Sequence, residues 1–165
     1  MADQSFLAQL QASLKELKVD AFWLPRADKF QGEEVRMHEE RLAKVTGFTG
    51  SAGTAIVLKK QAALFVDGRY TEQAASQTQD QPIKALSSAG SGPIDWLTKQ
   101  KRIETLGLDP WTVTAAQARN LKRVLDPAQI EIVPLEDNPV DALWHDAPQP
   151  EAAKGREHAI EWGGQ

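Results

Sequence analysis

Apolar residues at Phe6, Leu7, Leu10, Leu14 and Leu17 recur at helical spacing, with Gln, Lys and Glu between them. This predicts an opening amphipathic helix. The pattern then tightens to the short apolar run AFWLP, Ala21 to Pro25, which reads as a buried strand stopped by proline. ADKFQG is a loop. Residues 33–47, EEVRMHEERLAKVTG, predict a helix with acids in its first turn, an apolar stripe of Val35, Leu42 and Val45, and Gly47 just past its end. The clearest local signal follows. Thr54–Leu58 and Ala62–Val66 are β-rich runs separated by Lys-Lys-Gln, which predicts a hairpin.

Asp67-Gly68 ends the second strand of that hairpin, and RYTEQAASQTQD has helical character. IKALSS predicts a strand. Ser91-Gly92-Pro93 opens a short helix, with proline where a first turn tolerates it. TLGLDP predicts a further strand. Thr114 is placed to cap the helix AAQARNLKRVL, whose Ala118, Leu121 and Leu125 share a face. QIEIVPL alternates like a strand, and Asn138-Pro139 opens the helix VDALWHD as a cap followed by proline. From Ala147 onward the chain carries prolines and small residues without apolar periodicity, as in a linker or frayed end. About six strands alternating with five or six helices predict an α/β fold, a single domain built on a mixed sheet flanked by helices. The sheet must be mixed because the hairpin forces an antiparallel pair beside crossover-connected strands. The domain is expected to span residues 1–148, with residues 149–165 as a linker or irregular tail.

Composition narrows the function classes. The 165 residues carry a net charge of −4 without a basic block, which argues against a nucleic-acid partner. No apolar run approaches the length of a membrane span, and MADQSFLAQL is too polar for a signal peptide. The absence of cysteine excludes disulfides, thiolate metal sites and a cysteine nucleophile, and fits a reducing cytoplasm.

Candidate chemistry gathers at two places. GFTGSAGT, Gly47 to Thr54, resembles a phosphate loop in composition, but it follows a helix, precedes a strand and holds no lysine. A phosphate cradle needs the opposite order. The glycines then serve a tight turn and close packing. Asp67-Gly68-Arg69-Tyr70 admits two readings. Arg69 offers a two-point clamp for a carboxylate, or Asp67 caps the next helix while Arg69 pairs with a surface acid. His38 falls on the apolar stripe of its predicted helix, His145 stands at a helix end beside Asp146, and His158 is in the tail. No histidine pair has metal-ligand spacing. Of the five tryptophans, Trp23, Trp96 and Trp144 read as packed, whereas Trp111, in a loop after Pro110, reads as an exposed contact.

The stretch from AFWLPRADKF through GFTGSAGTA and FVDGRY, with the separation of those two motifs, resembles the N-terminal creatinase-like domain of Xaa-Pro aminopeptidases (aminopeptidase P). NPVDALWHDAP, Asn138 to Pro148, is similar to the segment that closes that domain, so the resemblance covers residues from about 5 to 148. It implies a chain without catalytic residues of its own. The peptidase chemistry of the family belongs to a later domain, where two Asp, one His and two Glu hold two divalent metals, usually manganese. No residue here matches those ligands, so no cofactor or metal is expected in this chain.

The resemblance further implies that the domain helps cover the active-site mouth and meets the remaining domains of the parent peptidase or a second subunit, including as a homodimer. Phe48, Arg69 and Tyr70 are the residues it suggests for such contacts. The expected localisation is cytoplasmic, in line with the absence of cysteine. The segment KGREHAIEWGGQ departs from the linker expected there, leaving a truncated end, a shifted frame or a natural short form open. Two other readings stand beside this one. The first is an autonomous small ligand-binding module or enzyme using a cleft near Asp67 and Arg69, with His38. The second is an interaction subunit with an apolar patch around Phe48 or Trp111.

Overall fold

The computed structural model describes residues 4–89, 92–150, 155, 157 and 159–163. The opening helix forms as its periodicity requires. α1 (Gln4–Glu16) buries Phe6, Leu7, Leu10 and Leu14 on one face. The six strands are β1 (Ala21–Pro25), β2 (Thr54–Leu58), β3 (Ala62–Val66), β4 (Ile83–Ser87), β5 (Thr105–Leu108) and β6 (Glu131–Pro134). They form one sheet in the order β4-β3-β2-β1-β5-β6. β2 is antiparallel to both its neighbours, while β3–β4, β1–β5 and β5–β6 pair in parallel. Every strand except β2 therefore runs the same way. This is the mixed sheet the hairpin demands.

The remaining helices are α2 (Arg41–Thr46), α3 (Thr71–Thr78), α4 (Gly92–Thr98), α5 (Ala115–Leu125) and α6 (Pro139–Leu143). Strand alternation sends Ala55 and Val57 to one face of the sheet, against α1, α2, α3 and α6. Ile56 and Leu58 go to the other face, against Leu97 of α4 and Leu125 of α5. The central strands are covered on both faces, so β3 is buried along its whole length.

Helix signals in the sequence hold at the caps. The Thr114 hydroxyl accepts from the Gln117 amide and the Gln117 side chain accepts from the Thr114 amide, a full capping box. Asn138 accepts from the Val140 amide at 3.0 Å, with Pro139 at the first helical position. One expectation fails. The predicted helix over residues 33–47 is a loop to Arg36, a single 3-10 turn at Met37–Glu39, and then α2. The break lies at Glu40, whose ψ of 52° leaves the helical region. Tertiary pairs override the local pattern there. Glu40 turns to meet Arg26 at 2.5 Å, and Glu39 is buried beneath Arg41. Trp23, Trp96 and Trp144 are partly buried against the core, and Trp111 is exposed. The expectations for Ser91 and His158 concern residues outside those described.

Asp20 joins three parts of this frame. Its carboxylate accepts from Lys59 Nζ in the β2–β3 turn at 2.7 Å. At the start of β5 it accepts from the amides of Glu104 and Thr105 at 3.0 and 3.2 Å and from the Thr105 hydroxyl at 3.1 Å. Burial alone would raise its pKa, but the bonds from Lys59, Glu104 and Thr105 outweigh burial and hold it below the ordinary carboxylate value. A lowered folded pKa stabilises the protein above the unfolded carboxyl pKa, about 3.9, and that contribution disappears as pH falls through the folded value. Asp20→Asn should therefore lose about 1–2 kcal/mol at pH 7. In urea titrations the gap between the two proteins should narrow as pH falls below the unfolded carboxyl pKa and close once the folded carboxyl is protonated too. An undiminished gap in acid would disprove the charge assignment.

Candidate functional site

Because all strands but β2 run the same way, β1, β3, β4, β5 and β6 end on one rim of the sheet, and β2 begins there. That carboxyl rim is where open α/β sheets collect ligands. Both sequence motifs stand on it.

GFTGSAGT is a turn built around one ring. Gly47 ends α2 in the left-handed region, with φ 76°, and its amide bonds to the Ala43 carbonyl at 2.8 Å. The Thr46 hydroxyl donates to the Leu42 carbonyl and accepts from the Phe48 amide. This steers Phe48 inward, where it is 1% exposed. The next two glycines pass over its ring. A Cβ on Gly50 would lie 2.2 Å from Phe48 Cζ, and one on Gly53 would lie 3.1 Å from Phe48 Cε1. No side chain fits at Gly50 without moving the ring.

DGRY packs onto the same ring. Tyr70 meets Phe48 edge to face, with centroids 5.8 Å apart, and shares a hydrogen bond with Ser51. Asp67 accepts from the Arg69 amide at 2.9 Å, and its carboxylate holds the Arg69 guanidinium at 2.7 Å. The Arg69 bond lowers the Asp67 pKa, and Asp67 raises that of Arg69. The capping reading of Asp67 is the one the structure bears out. The acid that pairs Arg69 is Asp67 itself.

The three suggested contact residues thus differ in kind. Phe48 is a core residue and offers no surface, because the hydroxyl of Thr46 and the two glycines fold it under the loop. Of the two residues expected to mark an exposed apolar patch, Phe48 is buried and Trp111 is exposed. Tyr70 is half-buried. Arg69 reaches solvent, its side chain 73% exposed.

Further along the rim lies a cleft of about 800 Å³ between the ends of β1, β5 and β6. Its interior holds Glu39, Asp109 and Asn138, all buried, and the aromatic side chains of Phe30 and Trp111 stand exposed at its edge. Asp109 accepts from Asn138 Nδ2 at 2.8 Å and from the Trp111 amide at 2.8 Å. Arg41 forms a two-point pair with Asp141 at 2.7 and 2.9 Å. Burial would lower the Arg41 pKa, but Asp141, with Glu39 and Asp109 behind it, raises it. His38 lines this cleft, whereas Asp67 lines a separate pocket of about 170 Å³ beside Gly53 and Pro93. The grouping of Asp67, Arg69 and His38 in one cleft is not formed. Sequence reasoning did not single out Glu39, Arg41, Asp109 and Asn138 as a set. They lie on three separate segments, Glu39 and Arg41 sharing one, and the capping signal at Asn138 is the one local sign among them. Among the described residues, no three His, Asp or Glu side chains converge as a metal set.

Residues 7–143 match the family model described as the Creatinase/Prolidase N-terminal domain. Among curated relatives, "Probable Xaa-Pro aminopeptidase P" of Talaromyces stipitatus is 36% identical over 96% of this chain and 25% of its own length. The protein of the same name from Coccidioides posadasii is 37% identical over 96% of this chain and 27% of its own. The chain thus spans about a quarter of the length of these relatives, and the matches run beyond the family model into the tail. Among solved structures, X-prolyl aminopeptidase from Caenorhabditis elegans, a cytosolic enzyme with a di-nuclear active site, superposes with a TM-score of 0.79. It shares 26% identity, with 88% of this chain and 26% of that one covered. The N-terminal domain of cytoplasmic peptidase PepQ from Mycobacterium tuberculosis shares the fold, with a TM-score of 0.66 at 24% identity over 84% of this chain and 98% of that one.

Proposed function

Because this chain belongs to the creatinase/prolidase N-terminal domain family, we propose that it is the non-catalytic N-terminal domain of a metal-dependent Xaa-Pro aminopeptidase. One observation carries the reading. Relatives bearing that name match 96% of the chain, yet the chain accounts for only 25–27% of their length. In this reading the metals, usually a manganese pair, and the residues that hold them belong to a later domain. The present domain shapes access to the active site and contacts the remaining domains or a second copy. Arg69 and Tyr70, on the carboxyl rim, are its contact residues. The cytoplasm is the compartment proposed, as for the C. elegans neighbour described as cytosolic. Among the described residues no helix is long and apolar enough to cross a membrane.

The test is hydrolysis of a short Xaa-Pro peptide with added manganese, beside a chelator control. The 165-residue chain alone should show no turnover. The same chain joined to the remaining domains of a parent peptidase should cleave the peptide, and Arg69→Ala in that joined protein should alter KM more than the thermal midpoint. Chelator-sensitive turnover that co-elutes with the isolated chain would overturn the proposal.

A further inference from the structure

The cleft at the ends of β1, β5 and β6 is not absorbed by the family reading, and its chemistry is one-sided. Five carboxylates line it, from Glu39, Asp109, Glu136, Asp137 and Asp141, against the cations Lys29 and Arg41. Arg41 gives its Nε and Nη2 to Asp141, with Glu39 3.7 Å from Nη2, and its buried Nη1 has no hydrogen-bond partner among the described residues. Lys29 stands 5.1 Å over the Phe30 ring, so one aromatic face of the edge already carries a cation. Trp111 is 70% exposed, its carbonyl accepts from Gln31 Nε2 at 3.3 Å, and its ring has no cation over it among the described residues. Glu136 and Asp137 have no ion pair there either.

A second, independent feature points to a missing donor. Glu39 is 4% exposed; its Oε1 accepts from the Lys29 amide at 3.4 Å, and its Oε2 has no hydrogen-bond partner among the described residues. His38 Nε2 stands 3.8 Å away, beyond bonding distance, and Arg41 Nη2 is 3.7 Å from the other oxygen. A shielded carboxylate oxygen left unbonded is costly, and a charged donor removes that cost. An aromatic plane at the edge, carboxylates around it and an unsatisfied acid inside suit a planar cation on an apolar stem.

We propose that this cleft binds the basic side chain of a peptide segment, an arginine in preference to a lysine, with the guanidinium on Trp111 and its charge met by Glu39, Glu136 and Asp137. The site does not depend on the peptidase reading, and its ligand is held by charge and stacking without any reaction. Exposed carboxylates make the binding salt-sensitive, since screening acts within about 8 Å at physiological ionic strength.

The test uses the ¹⁵N-labelled 165-residue chain. The probes are acetyl-Gly-Arg-Gly-amide and its neutral isostere acetyl-Gly-citrulline-Gly-amide. The arginine probe should give saturable shifts of the Trp111 indole and of the amides of Lys29, Glu39 and Asp137, weakened by salt. The citrulline probe should give none that saturates. Neutralising the exposed pair as Glu136→Gln with Asp137→Asn should weaken binding by up to about fivefold per charge. Glu39→Gln should weaken it about tenfold or more, and the exposed double variant keeps the test valid if the buried change alters stability. An absent saturable shift, an equal response to citrulline, or shifts centred on Asp67 would each overturn the proposal.

Discussion

Replacing Phe48 by alanine should destabilise this domain by about 3–5 kcal/mol, the range for emptying an aromatic site in a packed core. The ring is among the largest fully buried side chains, and it is the common surface on which two separate stretches of chain meet. Gly50 and Gly53 lie against it from one side, and Tyr70 meets it edge-on. Its loss leaves a cavity that glycines have no side chains to refill, and the edge-to-face contact goes with it. Urea unfolding followed by tryptophan fluorescence measures the effect. A change below about 1 kcal/mol would mean that the loop collapses freely and that the two motifs are not one unit. Surface contact residues behave otherwise, so a large loss also separates the structural role of Phe48 from any role in meeting another domain.

Arg41→Met should cost about 2–3 kcal/mol, somewhat below the range for breaking a fully buried pair because Asp141 is half-exposed. Arg41 joins α2 to α6 across 100 residues of sequence through its two bonds to Asp141. Its other face is the counter-charge of Glu39. Methionine retains the apolar stem but strands a buried acid, and a stranded acid accounts for most of the cost of a broken pair. The double variant Arg41→Met with Glu39→Gln should therefore recover part of the loss. Denaturant midpoints for the two single variants and the double variant give the coupling energy. Strictly additive losses would show that Glu39 and Arg41 act independently.

Much of the fold was legible because its signals are local. The hairpin limits at Thr54–Leu58 and Ala62–Val66 match the observed strands, since strand alternation and a short polar turn suffice to define them. Thr114 and Asn138 were legible as caps because a cap bond spans only two or three residues. The helix over 33–47 is not formed as its periodicity predicts because its break at Glu40 is set by Arg26, which lies outside the segment, 14 residues away. The candidate cleft was barely legible. Its walls come from the loop after β1, the turn after β5 and the segment after β6. Only parallel crossovers bring these together.

By itself, the sequence determined the alternation of strands and helices, the caps, and the two motifs that mark the family, because each rests on short-range bonds, backbone freedom and periodic burial. The tertiary structure decided that Phe48 is buried, that Arg69 folds back on Asp67, and that Glu39 lies shielded beside a cleft with two exposed aromatic side chains. Those outcomes depend on which distant segments share a rim, and that is set by the packing of the whole sheet.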